Sequence, residues 1–522
     1  MRSSAKVLLI GLDAAEISCV EKWAAEGHLP NLRRLAEKVG LTRLHSCARE
    51  FPDEVWSSVY SSCSAAQFGK YYYIQPKRGS MSLTLVDQKP DRVEQFWRTA
   101  SIAGRSCAII DAPETDLGPP VNGIQVANWG AHATRCRSSS HPQDLIQRLI
   151  QRHGSYPVHS CDDHSRSPDD YINLRERLIK GVRLRTELLL DLMASGDWDL
   201  FFGAYSETHC SGHQFWHLQD PSHPNYDPED RHHLRDSMRE IYAEVDRGLG
   251  RLVEAAGEHT HVMIFAAHGM RAQYHGRDLL PTLLEMWGMS QTHNIERDQT
   301  RERSVVWKES WLRRLKNEVP VRWQYIVKNL LPSKIENAIV CRVMGAESLP
   351  AHWRAFCVPN NDITAAIRVN VKGRDPKGLV SPGAEYDDLV DWLVIRLQEL
   401  INPTTGKPAF ERVSRIHDIY QGPYQDVLPD LTAFWSREAP IDELYSPGYG
   451  TVSGAHRDLR TGGHAADGFM LFRSSRVQPC AMAGASVKDI APTVLDLLDV
   501  PIPAAAEGRS LVAPPIRKNA AD

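Results

Sequence analysis

Asp199-Leu200-Phe201-Phe202-Gly203-Ala204-Tyr205 runs straight into Ser206-Glu207-Thr208-His209-Cys210-Ser211-Gly212-His213-Gln214-Phe215-Trp216-His217. The first segment is a short apolar run, the pattern of a strand buried on both faces of a parallel sheet. Ligands and metals gather at the carboxyl ends of such strands, which is where the second segment begins. His209 and His213 stand four apart, so on a helical turn both imidazoles leave one face. A divalent ion takes two nitrogen ligands at that spacing. The stretch is expected to supply half of a metal site, with distant pieces of the chain supplying the rest.

Working outward, a long amphipathic helix is expected over Tyr171–Ser195, before the strand. Another is expected over Leu234–Ala256, with Ile241, Val245, Leu249 and Leu252 on one face. The next apolar run, His261–Ala267, ends in His268-Gly269-Met270, and the first, Lys6–Leu12, delivers Asp13. Helix alternating with apolar strand is the signature of an α/β fold with a mostly parallel sheet. Gly462-Gly463-His464 reads as a tight glycine loop leading into a strand over Gly468–Phe472. From Arg271 to Val358 tryptophan-bearing, charged, helical segments replace strands. The expected organisation is a catalytic core over 1–270 and 359–512, a helical insertion or cap over 271–358, and a flexible tail over 513–522.

The 522 residues are 42% hydrophobic and 24% charged, as in ordinary globular enzymes. A net charge of −4 gives no support for a nucleic-acid polymer or a membrane surface as partner. Ten scattered cysteines with no C-x-x-C pair argue for reduced thiols. The apolar part of the N-terminus is too short for a signal peptide, and no apolar run reaches the ~18 residues of a membrane span. Cytoplasm is the expected compartment. Histidine stands out, at 22 residues, several of them where strands end.

Asp13, His209, His213, His268 and His464 are the candidate ligands. Alone, each has a plain structural account: Asp13 as a helix N-cap, each histidine as a hydrogen-bonded packing residue. Strand ends of one sheet converge in space, however, and three to five nitrogen and oxygen ligands suit one or two zinc-like ions, with manganese or iron as alternatives. Two ions ~4 Å apart clamp the attacking and leaving oxygens of a phosphoryl group. Three neutral histidines around one ion are, in turn, what hydrolytic zinc sites use to activate water.

The order Gly11-Leu12-Asp13, a hydroxyl-bearing turn at Pro52–Ser58, Gly212-His213, His268-Gly269-Met270 and Gly463-His464 resembles the alkaline phosphatase superfamily. The closest branch is the type I phosphodiesterase/nucleotide pyrophosphatase group. Ile367–Pro376, Leu428-Pro429-Asp430-Leu431 and Ala491–Leu495 extend the resemblance over nearly the whole chain. It implies a three-layer α/β core with a metal site at the strand carboxyl ends, and hydrolysis of phosphate mono- or diesters of small molecules. Asp13 matches an aspartate that binds one metal, His213 and His464 two histidines that bind the other, and His268 the histidine of Asp-His-Gly-Met. The chain departs from the pattern at four places: Ala267 and His209 replace aspartates, Pro52 replaces the threonine or serine nucleophile, and Phe68-Gly69 replaces histidine-glycine. Glu54, Ser57 and Ser58 are the candidates near the lost nucleophile. Glu207 or Glu54 is expected as a general base. Ser58 and His217 are expected to touch substrate, with Asp220 lining the pocket. The departures also admit a transferase or lyase of specialised metabolism, a sulfatase-like activity, or a binding protein on the same scaffold.

Overall fold

The computed structural model describes residues 6–86, 94–130, 138–158, 167–290, 303–306, 349–454, 460–476 and 482–512. It opens with β1 (Val7–Leu12), all six residues buried. Leu8, Ile10 and Leu12 enter one apolar cluster, Val7 and Leu9 another. That alternation is the two-residue period of a strand covered on both faces.

Around β1 stand β2 (Thr42–His45), β3 (Cys107–Ile110), β4 (Gly123–Ala127), β5 (Ser139–His141), β6 (Leu200–Tyr205) and β7 (His261–Ala266). After β7 the chain leaves the sheet as β8 (Gly269–Ala272). A separate four-stranded antiparallel sheet follows, from β9 (Ala355–Val358), β10 (Thr364–Val369), β11 (Phe410–Arg415) and β12 (Leu431–Trp435), with its own apolar cluster around Ile367, Leu393 and Trp435. Then β13 (Gly462–Ala465) pairs antiparallel with β8, and β14 (Asp467–Arg473) returns to the main sheet. That sheet runs β2-β14-β7-β1-β6-β3-β4-β5. Its centre, from β7 to β4, is parallel, and its flanks β2, β14 and β5 are antiparallel.

Helices cover both faces. On one lie α1 (Ile17–Ala25), α2 (Pro30–Val39), α4 (Pro168–Ala194), α5 (Glu207–Gln219) and α6 (Ser237–Ala256). On the other lie α3 (Val55–Ser61) and α7 (Ile490–Leu497). The fold is therefore a three-layer α/β core with a mostly parallel sheet, as expected. The start of α4 was encoded locally: Ser167 and Asp170 form a reciprocal capping box, and Pro168 takes the first helical position. Each wholly buried Leu, Ile or Phe of these layers contributes on the order of 1.5–3 kcal/mol.

Two elements differ from expectation. His464 was expected in a glycine loop, yet Gly462–Ala465 is a strand. The glycines serve close packing there instead of a turn. The expected helical insertion 271–358 begins and ends in strands, β8 and β9, because both find antiparallel partners elsewhere. Most of it, 291–302 and 307–348, lies outside the described residues, as does the expected tail 513–522. Among the described residues, no helix is long and apolar enough to cross a membrane.

Candidate metal centre

The site is built where β1 and β6 end side by side. They pair in parallel through Leu12 and Tyr205. One step on, the Asp13 N–H donates to the Tyr205 carbonyl at 2.9 Å, and the Thr208 hydroxyl donates to the Asp13 carbonyl at 2.6 Å. The first turn of α5 is thereby tied to the end of β1. From there α5 projects His209, His213 and His217, one per turn, along a single face.

Opposite that face runs β13. The carbonyl of His213 accepts the Thr461 N–H at 2.9 Å, and the His213 Nδ1–H donates to the Gly462 carbonyl at 2.6 Å. This second bond fixes the ring's orientation and leaves Nε2 with its lone pair inward. A Cβ on Gly462 would sit 2.1 Å from the Gly212 carbonyl oxygen, so only glycine lets the strand approach the helix this closely. His464, two residues on, completes the set. Nε2 of His209 lies 3.2 Å from that of His213 and 3.1 Å from that of His464. The three ligand atoms all fall within 4.8 Å of one another, and all three residues are buried. Tetrahedral zinc with nitrogen at about 2.05 Å spaces its ligands about 3.3 Å apart. Three imidazole nitrogens that close repel one another unless a proton or a cation stands between them. The donor set therefore fits one divalent ion, and among the described residues no other group of three histidines, cysteines or carboxylates does so.

Asp13 and His268 flank this trio without joining it. Asp13 is buried, and its Oδ1 accepts the Trp56 indole N–H at 2.9 Å. His268 packs edge-on against His464 with ring centroids 4.6 Å apart, and burial pulls its pKa down to about 4. Neither of its ring nitrogens has a hydrogen-bond partner among the described residues.

The carboxylates expected as general bases have other work. Glu207 accepts from the Arg185 guanidinium at 3.1 and 3.3 Å and from the Tyr156 hydroxyl at 3.0 Å. Arg185 also reaches Asp111 at 2.7 Å and the Gly130 carbonyl, and its guanidinium lies against the rings of Trp129 and Tyr156. Burial alone would lower its pKa, but the two carboxylates hold it above the ordinary arginine value. Glu207 is thus the α5 foot of a buried ion-pair network. Glu54 is also wholly buried. Its Oε1 accepts from the Ser58 hydroxyl at 2.9 Å and the Ala65 N–H at 2.7 Å, and burial pushes its pKa up to about 8. Ser58 donates also to the Cys63 carbonyl. Both residues bind the α3 region to itself. Ser57 is half-buried beside Trp56, and its hydroxyl makes no hydrogen bond among the described residues. His217 meets the Thr461 hydroxyl at 3.1 Å and packs at a tilt against His223, ring centroids 5.9 Å apart, and Asp220 accepts the Trp216 indole N–H.

Sequence reasoning missed three supporting residues. Trp56 holds Asp13. Glu16 accepts the Met270 N–H at 3.0 Å, pinning β8 just past His268. Arg437 donates to the carbonyls of Ala272, Gly463 and His464, bracing β8 against β13. Glu16, three residues after Asp13, and Trp56, inside the Pro52–Ser58 turn, lay in or near recognisable motifs; Arg437 sits in a loop with no local signal.

The family model for type I phosphodiesterase/nucleotide pyrophosphatase matches residues 7–336. That stretch carries Asp13, His209, His213 and His268; His464 lies beyond it and enters the centre through the fold. No curated protein matches the chain. Among solved structures, phosphonoacetate hydrolase from Sinorhizobium meliloti in complex with phosphonoformate is 11% identical, over 95% of this chain and 96% of that one, with a TM-score of 0.48. Human ectonucleotide pyrophosphatase/phosphodiesterase 5 is 12% identical, over 95% and 96%, with a TM-score of 0.44. Wild-type alkaline phosphatase PafA is 12% identical, over 98% and 99%, with a TM-score of 0.46.

Proposed function

The chain belongs to the type I phosphodiesterase/nucleotide pyrophosphatase family, and on that footing we propose that it is a metal-dependent hydrolase of small phosphoric esters. The observation that carries the reading is the convergence of three buried imidazoles, with the His209 Nε2 3.2 Å from that of His213 and 3.1 Å from that of His464. His209, His213 and His464 would hold one divalent ion, with zinc the first choice for an all-nitrogen set. When bound, such an ion draws charge from a phosphoryl oxygen and activates water.

The rest of the site is this chain's own. Trp56 and the β1–β6 pairing hold Asp13 at the rim, where it would orient the ester or its attacking group. Ser57 is the candidate nucleophile, since the Ser58 hydroxyl is spent on Glu54 and Cys63. A general base from Glu207 has no support, because Arg185 neutralises that carboxylate. The test is purified protein assayed for bound zinc, manganese and iron, then for turnover of a phosphomonoester, a phosphodiester and a sulfate ester. Stoichiometric metal with phosphate-ester turnover is the expected result, and Ser57→Ala is expected to lower kcat at least about 100-fold. Metal-free protein that stays metal-free on reconstitution overturns the reading.

A second reading is transfer or elimination chemistry on the same scaffold. One observation favours it: Pro52 and Ala267 stand where the family resemblance calls for a nucleophile and a carboxylate. Bound metal with no turnover of any of the three esters is the result that selects it.

A further inference from the structure

Asp13 and His268 occupy the place where the family resemblance implies a second metal ion, and they do not fit one. A zinc-like ion is held by three or more protein ligands. Among the described residues, no third histidine, cysteine or carboxylate joins these two at ligand spacing. Ala267, buried beside them, offers a methyl group. His209, the other position that would have carried a carboxylate, is drawn into the trihistidine set. A doubly charged ion there would face a single carboxylate, whose Oδ1 is already engaged by Trp56.

His268 nonetheless needs a partner. It is 2% exposed, and both ring nitrogens are without one among the described residues. Leaving a buried polar group unsatisfied is costly, and such orphans call for an explanation. The ring sits directly against His464, one ring away from the metal position. It follows β7, while Asp13 follows β1, and the two strands are neighbours. A neutral imidazole always carries one N–H donor. An anionic oxygen drawn to the neighbouring ion would meet that donor among buried side chains, where a fixed hydrogen bond acts most strongly.

We propose that the centre holds a single ion and that His268, standing where a second ion would be ligated, instead donates a hydrogen bond to a phosphoryl oxygen of the substrate. This rests on the trihistidine reading above and goes beyond it by assigning the ion count and the residue that recognises the anion.

The experiment is zinc stoichiometry by equilibrium dialysis with elemental analysis, followed by calorimetric titration of the zinc-loaded protein with inorganic phosphate. Wild type is expected to bind one zinc per chain. His268→Ala and His268→Gln are expected to keep that zinc, with affinity changed less than about threefold. Phosphate binding is expected to weaken about 10- to 100-fold in His268→Ala, the loss typical of a hydrogen bond to a charged group, and less in His268→Gln, which keeps an N–H. Two zinc ions per wild-type chain overturn the proposal without touching the trihistidine reading. Loss of the zinc in both variants, or unchanged phosphate affinity in both, also overturns it. A wild-type protein that binds no zinc overturns the trihistidine reading itself, and this inference with it.

Discussion

The Nε2 atoms of His209 and His464 stand 3.1 Å apart although 255 positions separate the two residues. Nothing local to either places them so. One is carried by a helix and the other by a strand of a two-stranded ribbon, and the contact between those elements makes the site. Replacing either with alanine removes one of three ligands and leaves the others too few to compete with water. His209→Ala and His464→Ala are each expected to lower zinc affinity about 100-fold or more. Equilibrium dialysis measures this, with circular dichroism to show that the fold persists.

Gly462→Ala is expected to damage the same centre without touching a ligand. Its new methyl group would lie 2.1 Å from the Gly212 carbonyl oxygen, which is backbone and has no rotamer to escape into. The strand must move off the helix, breaking the His213 bond to the Gly462 carbonyl. The expected outcome is a loss of about 1–3 kcal/mol of stability, the usual size for overpacking, together with weakened zinc binding. Denaturant unfolding with and without zinc separates the two effects.

Arg185→Met should be among the most destabilising single changes in the molecule. The guanidinium is 1% exposed, and it neutralises Glu207 and Asp111, both wholly buried. Its removal leaves two buried carboxylates unpaired, at an expected cost of about 3–5 kcal/mol. A urea midpoint well below wild type is the result to look for. Methionine keeps most of the apolar stem, so lost packing is not the main cause.

Glu54 predicts a pH dependence of stability. Its folded pKa of about 8 lies above the ordinary 4.5, because burial penalises the charged form. Below about pH 4.5 both folded and unfolded chains carry the proton, and this residue opposes nothing. Between 4.5 and 8 the folded chain keeps a proton that the unfolded chain releases. Stability from this site therefore falls as pH rises, by up to about 1.4 kcal/mol per unit, and levels off above 8. Glu54→Gln keeps an acceptor for Ser58 and Ala65 and should flatten that slope. Unfolding free energies measured from pH 5 to 8.5 in both proteins check it.

Much of this was legible in the residues themselves. β1, β6 and β7 are short apolar runs, and each ends at a residue of the site or its rim. His209 and His213 declare their shared helical face by spacing alone. What the sequence withheld were pairings over distance. Glu207 beside two histidines reads as a base; only the packing of α4 beneath α5 brings Arg185 to it, 22 positions away. Glu54 and Ser58 look like a catalytic pair and are in fact each other's hydrogen-bond partners, closing the turn into α3. Gly462-Gly463 reads as a turn, because glycine's usual reason is a positive backbone angle; here the reason is a neighbouring carbonyl. Arg437 could not have been found from its own neighbourhood, since its partners are main-chain oxygens of two strands far from it in sequence.

The close approach of β13 to α5 also sets a time order. A chain emerging from the ribosome displays its helical pair of imidazoles long before the third is made. Until the ribbon strand is synthesised and docked, there are two ligands and no cage. On the proposed trihistidine reading, metal capture would thus be a late event, and a divalent ion retained through purification would report that β13 has docked on α5.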